Sequence, residues 1–158
     1  MTVVSDASPL IALARVDQVA LLQSMFGQLL VPEAVWREVA LSGADKAGSD
    51  EFLRANWIQT RSVSNQALLG LLKRDLGAGE AEAVVLAQEV KADFVLMDER
   101  LGRSLARKLG LKVVGIVGVL IEARKAGFIS DAATLADDLR DKAGFWISEE
   151  LRGLVIGE

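Results

Sequence analysis

Short runs of β-forming apolar residues alternate with longer stretches of helical periodicity along the chain. This alternation is typical of an α/β fold, in which helices cover both faces of a mostly parallel sheet. Several of the apolar runs are continuous, as expected where both faces of a strand are buried. The predicted strands are Thr2 to Asp6, Gln28 to Val31, Ile58 to Val63, Phe94 to Asp98 and Lys112 to Val117.

Helical periodicity fills most of the chain between these strands. Gly110, Gly127 and Gly144 lie where helix C-caps belong. Two glycines and mixed charge between Ser42 and Ser49 favour a flexible loop. The predicted helices are Pro9 to Val16, Val19 to Phe26, Pro32 to Leu41, Asp50 to Ala55, Gln66 to Leu72, Gly79 to Lys91, Glu99 to Leu109, Val117 to Ala126, Ala132 to Asp141 and, as a short last segment, Glu149 to Val155.

The size of the chain fits a single domain over residues 1–158. A domain of this size buries roughly 70% of the surface that its unfolded form exposes. Hydrophobic residues form 51% of the sequence and charged residues 25%, as in compact globular proteins. The first residues lack the features of a signal peptide, and no apolar run approaches the ~20 residues that span a bilayer. We therefore expect a cytoplasmic protein without membrane attachment.

The chain has neither cysteine nor histidine. Disulfides, thiolate nucleophiles, cysteine-based zinc sites and Ser-His-Asp catalysis are thereby excluded. Acid, base or metal chemistry must depend on Asp and Glu, whose oxygens suit magnesium or manganese. The net charge of -4 does not favour nucleic acid, so a site for a polyanion has to be local.

Asp6 and Asp98 each follow a predicted strand, at the edge where open α/β sheets bind ligands. An aspartate there can instead cap the next helix. That alternative is strong for Asp98, because Glu99 begins a helix immediately. It is weaker for Asp6, because Ser8 and Pro9 already supply an N-cap residue and a proline for the first helical position.

Two glutamates lie beside apolar helix faces when residues are placed at about 100° intervals. Glu38 falls away from the polar side of its helix, although a boundary glutamate can also extend to water. Glu80 shares its side with small apolar residues, where an unpaired carboxylate is costly to bury. The alternative explanation for Glu80 is that a carboxylate in the first turn interacts favourably with the positive end of the helix dipole. Glu82 shares its side with Glu89, and we expect it to be solvated.

The four acids Asp6, Glu38, Glu80 and Asp98 all have routes to the same sheet edge. Converging carboxylates repel each other unless divalent cations neutralise them. Such a site suits two-metal hydrolysis of phosphodiesters, with the ions ~3.5 to 4 Å apart. A stripe of Arg100, Arg103 and Arg107 on the helix after Asp98 would hold phosphates nearby, although an ordinary solvated face explains this stripe equally well.

Two other phosphoryl-handling families fit poorly. A phosphatase of the haloacid dehalogenase type needs a second aspartate two residues after the first, where this chain has Ser8. A phosphorylatable receiver domain needs an acidic pair at the first strand and a lysine after the last, and Ser5-Asp6 and Lys112 do not match that arrangement.

Five stretches of the chain have a characteristic order and spacing: Val3 to Ile11, Val31 to Val39, Gly79 to Ala83, Val95 to Glu99 and Gly110 to Leu120. The first four resemble a PIN domain, and the fifth resembles the last strand and following helix of a VapC-like ribonuclease branch. The resemblance covers nearly the whole chain.

The resemblance implies a three-layer α/β/α sandwich and a magnesium- or manganese-dependent endoribonuclease. Asp6, Glu38 and Asp98 match the acidic positions of the family, and Glu80 is the best match to the third acid in chain order. Glu82 stays an alternative for that position, because the family often has aspartate there, and Glu99 is a further alternative metal ligand. Ser8 matches a small hydroxyl residue that supports the first acid.

The resemblance also implies partners. Many VapC-like proteins are toxins that form homodimers and are held inactive by a small antitoxin, so RNA, an antitoxin and a second copy of the chain are the expected partners. The alternative is a PIN-like fold that no longer cuts RNA and acts as a nucleic-acid-binding or regulatory module.

Overall fold

The computed structural model of the chain describes residues 1–41 and 46–158. Strands and helices alternate through most of this part, and a run of helices follows the last strand. In chain order they are β1 (Val3–Ser5), α1 (Ala7–Arg15), α2 (Ala20–Phe26), β2 (Leu29–Pro32), α3 (Glu33–Leu41), α4 (Lys46–Arg54), β3 (Ile58–Arg61), α5 (Gln66–Leu72), α6 (Ala78–Glu89), β4 (Phe94–Leu96), α7 (Arg100–Lys108), β5 (Val113–Val114), α8 (Ile116–Lys125), α9 (Ala132–Ala143) and α10 (Glu149–Ile156).

The strands form one sheet in the order β3-β2-β1-β4-β5, and every pairing between them is parallel. Strand β1 lies at the centre, where Val4 pairs with Leu30 of β2 on one side and with Val95 of β4 on the other. Strands β2 and β3 follow β1 on one side of the sheet, and β4 and β5 lie on the other side of β1. The strand order therefore reverses between β1 and β4, and ligands of open α/β sheets bind beside such a reversal.

Alternate residues of the strands enter two separate hydrophobic cores, because successive side chains of a strand point to opposite faces. Val3 and Leu96 pack with helices α1, α8 and α9, whereas Val4 and Val95 pack with α5 and α6. Helices thus cover both faces of the sheet. The prediction of a three-layer α/β/α sandwich is confirmed.

The predicted strands and helices are all present, with ends that differ by a few residues. The largest differences are at helix starts. Helix α1 begins at Ala7 rather than Pro9, and α4 begins at Lys46, inside the segment predicted as a loop. Residues 42–45 of that segment lie outside the described residues. Among the helices of the described chain, none is both long and apolar enough to cross a bilayer.

Candidate active site

Asp6 stands at the carboxyl end of the central strand and is only 2% exposed. Its Oδ1 accepts a hydrogen bond of 2.7 Å from the backbone N–H of Ala7, so Asp6 is the N-cap of α1. The expectation that Ser8 and Pro9 begin this helix is therefore wrong, since the cap lies two residues earlier. The backbone N–H of Asp6 donates to the carbonyl of Leu96 at 2.9 Å, which joins the ends of β1 and β4.

The pKa of the Asp6 carboxyl is raised from 3.8 to about 7. Burial is the main cause, because removal from water disfavours the charged form. The neighbouring carboxylates of Glu80, Glu38 and Asp98 raise the pKa further, whereas the hydrogen bond from Ala7 lowers it. The structure therefore brings acids from three other parts of the chain around the aspartate at the end of β1.

Asp98 lies two residues beyond the end of β4 and does not cap the helix that follows. Glu99 has that role, because its Oε2 accepts from the N–H of Gly102 at 2.7 Å. Asp98 Oδ1 accepts from the N–H of Ile116, at the start of α8, at 3.0 Å. Its Oδ2 is buried, and within the described chain this oxygen has no hydrogen-bond partner. A buried acceptor without a partner is costly, so the position favours a ligand.

Burial raises the pKa of the Asp98 carboxyl, and the hydrogen bond from Ile116 and the charge of Arg103 partly oppose this rise. Nη1 of Arg103 donates to the carbonyl of Met97 at 2.8 Å, so the guanidinium also holds the backbone just before Asp98. Burial lowers the pKa of Arg103, and the charge of Arg107 lowers it further. Of the predicted arginine stripe, Arg100 and Arg107 are exposed and Arg103 is turned inward.

Glu38 and Glu80 reach the group from α3 and α6. Burial raises the pKa of Glu80, and the carboxylates of Glu99 and Glu38 raise it further. Gly79 lies between these acids: a Cβ at this position would be in ordinary van der Waals contact with Asp6 Oδ1 at 3.6 Å and with Glu38 Oε2 at 3.9 Å. Glu38 is exposed and Glu80 is half-buried, so both face the opening of the site.

Glu82 lies elsewhere. It is 9% exposed, and its Oε1 accepts a hydrogen bond of 3.3 Å from the N–H of Ala34, in the first turn of α3. The expectation that Glu82 is solvated is wrong. Helix α3 follows β2 directly, and the N–H groups of a first helical turn need acceptors from outside the helix. Glu82 supplies one such acceptor, and Glu80 is the glutamate of α6 that joins the acids.

Ser8 is exposed and lines a small cavity with Arg15 and Phe145. The structure thus places Ser8 in α1, next to the end of α9, and not in the groove that Asp98 lines. Its supporting role remains a prediction based on the resemblance.

Gly115 is a residue of the site that the sequence analysis missed. It precedes α8, and a Cβ there would lie 2.6 Å from Asp98 Oδ1 and 2.8 Å from Arg103 Nη1. Contacts under 3.0 Å are not tolerated without displacement, so a side chain at Gly115 would push the Asp98 carboxylate away from the N–H of Ile116. A glycine directly between the last strand and a helix was the available signal for such a close approach.

The donors of this site are carboxylate oxygens, which suit a hard divalent cation such as Mg²⁺ or Mn²⁺. The unpartnered oxygen of Asp98 and the mutual repulsion around Asp6 both favour such an ion. With side chains as placed, no group of three or more acids in the described residues is close enough to hold it. The carboxylate donors are of the kind that such a cation prefers, and binding one would require the side chains of Glu38 and Glu80 to turn inward.

A family model described as "DUF3368: PIN domain" matches residues 2–158. The chain belongs to the PIN-domain family. Membership shows a nuclease-type fold, and the acids at the reversal of strand order lie where this PIN domain would bind its ligand. Comparison with curated proteins and with solved structures gives no match.

Proposed function

We propose that this PIN-domain protein is a magnesium- or manganese-dependent endoribonuclease. One observation carries the proposal: Asp6 is buried near the carboxylates of Glu80, Glu38 and Asp98, and burial, followed by these charges, raises its pKa. Carboxylates that repel one another in a partly buried cleft are typical of catalytic sites rather than of structural ones. A nuclease-type fold gives such a site its reaction class.

In this proposal Asp6 and Asp98 are the inner ligands of the cation, and Glu38 and Glu80 complete its surroundings from the open side. A divalent cation supplies Lewis-acid polarisation of the phosphodiester and offsets the charge that develops during hydrolysis. Glu99 has a positioning role, because its carboxylate caps α7 and its charge also acts on Glu80. Asp98 is thus free of a capping role in α7, and its Oδ2 is available as a ligand.

The arginines of α7 perform the binding of RNA. Arg100 and Arg107 are exposed and form no salt bridge with other residues of the described chain, so phosphates of the substrate are suitable partners. Arg103 keeps the carbonyl of Met97 and the charge of Asp98 in place. This local positive charge would offset the net charge of -4 at the point where RNA approaches.

The VapC-like branch completes the proposal. It rests on the resemblance of residues 110–120 and brings with it a toxin role, a small antitoxin as inhibitor and a homodimer. A short neighbouring reading frame that encodes a protein able to block cleavage would support this part of the proposal.

The test is cleavage of a labelled single-stranded RNA by the purified protein with Mg²⁺ or Mn²⁺. We expect EDTA to stop cleavage, and Asp6→Asn and Asp98→Asn to reduce the rate by roughly 100-fold or more, because even groups that only orient ligands contribute ~10–100-fold. Exposed Asp75 lies outside the acid group, so Asp75→Asn is the matched control and should leave the rate unchanged. Circular dichroism would verify the fold of each variant.

Two outcomes contradict the proposal in different ways. Full activity in both Asp6→Asn and Asp98→Asn would show that the acids have another purpose. Absence of cleavage of any RNA by the unmutated protein, with binding retained, would favour the regulatory or binding module.

A further inference from the structure

A groove of about 650 Å³ opens directly beside the acid group. Asp98 and Arg103 line it together with Phe145, Trp146 and Ile121. Its volume is within the ~300–1,000 Å³ of typical ligand pockets. The lining therefore combines charged residues of the proposed catalytic site with apolar and aromatic residues.

Trp146 is the most unusual residue of this groove, because 77% of its surface is exposed. A tryptophan has a large apolar surface whose exposure to water is unfavourable, and large exposed aromatic side chains are enriched where a protein meets a ligand. Trp146 lies between α9 and α10, in the connection 144–148 that also contributes Phe145 to the lining of the groove.

The backbone around Trp146 is held on both sides. Phe145 packs against the main core, and its N–H donates to the carbonyl of Leu139 at 2.9 Å. Ile147 also packs against that core, and Ser148 caps α10 through the N–H of Leu151 at 3.1 Å. Trp146 is thus an exposed ring on a fixed support, which lowers the entropy that a ligand would lose on binding to it.

We propose that this groove binds one nucleobase of the single-stranded RNA substrate, stacked on Trp146, while the adjoining phosphate lies beside Arg103 at the acid group. The proposal rests on the proposed function and names where its substrate lies. A nucleotide presents the two kinds of group that this lining suits, a flat apolar base and an anionic phosphate. Stacking on aromatic side chains is the usual way in which proteins hold unpaired bases.

The charged residues of the lining argue against an apolar protein segment as the occupant of the groove. Asp98 and Arg103 are part of the lining, and an apolar side chain would cover them without offering a partner to either. Glu122, with a side chain that is 66% exposed, also lines the groove. It presents acceptor oxygens suited to the N–H groups of a base. Continuity with the acid group places the bound base next to the phosphodiester to be cut.

The experiment compares Trp146→Ala and Trp146→Phe with the unmutated protein in two assays. One measures KM and kcat for cleavage of a 12-nucleotide single-stranded RNA, and the other measures the Kd of the same fluorescein-labelled RNA in EDTA. We expect Trp146→Ala to raise KM and Kd by about 10-fold, the effect of removing one stacked base. Trp146→Phe should recover most of the affinity, and kcat should change by less than about 2-fold in both variants, because Trp146 binds the substrate uniformly.

A backbone-only ligand separates stacking from a structural effect. An RNA of the same length with abasic sites throughout should bind the unmutated protein and Trp146→Ala equally. Phe128→Ala is the matched control, because this ring is 49% exposed but lines a different cavity. We expect it to leave both KM and Kd unchanged.

Each contrary result has a distinct meaning. Unchanged KM and Kd in Trp146→Ala, or an equal loss of binding for the abasic RNA, would overturn the nucleobase site. If Trp146→Ala loses a dimer in sedimentation but keeps its RNA affinity, the groove is an interface between copies of the chain. If Trp146→Ala loses only its inhibition by a protein partner, the groove is a protein-docking site. Either result overturns the proposal. Absence of cleavage with Trp146-dependent binding would instead overturn the proposed function and support the nucleobase site.

Discussion

Asp6→Asn is expected to stabilise the metal-free protein at alkaline pH. Asp6 is buried beside three other carboxylates, and its pKa is raised from 3.8 to about 7. A carboxyl with a raised pKa in the folded state binds its proton more tightly there than in the unfolded chain. Its contribution to stability is therefore fully present below pH 3.8 and is lost as the pH rises towards 7 and beyond.

The size of this change in the free energy of unfolding follows from the raised pKa of Asp6. Each pKa unit corresponds to about 1.36 kcal/mol, so holding Asp6 ionised at pH 8 costs the fold about 4 kcal/mol. Asparagine caps a helix as well as aspartate does, so Asp6→Asn keeps the cap on Ala7 without the charge. We expect a gain of about 2–4 kcal/mol in the free energy of unfolding at pH 8, or roughly 10 °C in Tm for a chain of this size.

The assay is unfolding by urea and by heat in EDTA, from pH 4 to pH 8, for the unmutated protein, Asp6→Asn and the surface control Asp75→Asn. The gain should shrink towards zero at pH 4, and the control should stay within about 0.5 kcal/mol of the unmutated protein throughout. Added Mg²⁺ should stabilise the unmutated protein and narrow the gap, because a ligand that binds only the folded state adds to its stability. If the free energy of unfolding had the same pH dependence in Asp6→Asn and in the unmutated protein, the raised pKa of Asp6 would be refuted.

Two further substitutions test how the site is positioned. Gly115→Ala should displace the Asp98 carboxylate, lower the free energy of unfolding by about 1–3 kcal/mol and reduce cleavage, because overpacking is costly. Gly70 is an exposed helical position with open space around it, so Gly70→Ala should leave the free energy of unfolding unchanged or raise it by up to about 1 kcal/mol. A loss of stability in both glycine variants, or in neither, would contradict the steric argument. Glu82→Ala removes the acceptor of Ala34. It should cost about 1–2 kcal/mol in urea unfolding, whereas Glu82→Gln should keep much of that stability. A neutral Glu82→Ala would show that this hydrogen bond contributes nothing.

The sheet and the order of the acids were predictable because both depend on local patterns and on chain order. Strands buried on both faces are continuous apolar runs, as in Val3-Val4 and Val95-Leu96. Parallel strands also end at one edge, so residues that follow β1 and β4 had to be neighbours. Asp6 and Asp98 could therefore be paired without knowledge of any contact.

Glu82 was beyond prediction for a physical reason. Helix α6 is buried from Ala81 to Ala87, so it has no polar side from which the direction of water can be inferred. Helical mapping gives angles about the axis of one helix, but it does not say which neighbour each side faces. Only the packing of α3 against α6 decided that Glu82 would cap α3 and that Glu80 would join the acids.

The sequence by itself determined the available chemistry: carboxylates without histidine or cysteine, in an order that parallel strands bring to one edge. The tertiary structure decided which of these groups are free to act. Glu99 takes the capping role that the pattern offered to Asp98, and Gly115 leaves room for the Asp98 carboxylate against α8. Trp146 and Asp98 line one groove although 48 positions separate them in the chain. Their place in the same groove depends on how α8, α9 and α10 pack together, and no local pattern records that packing.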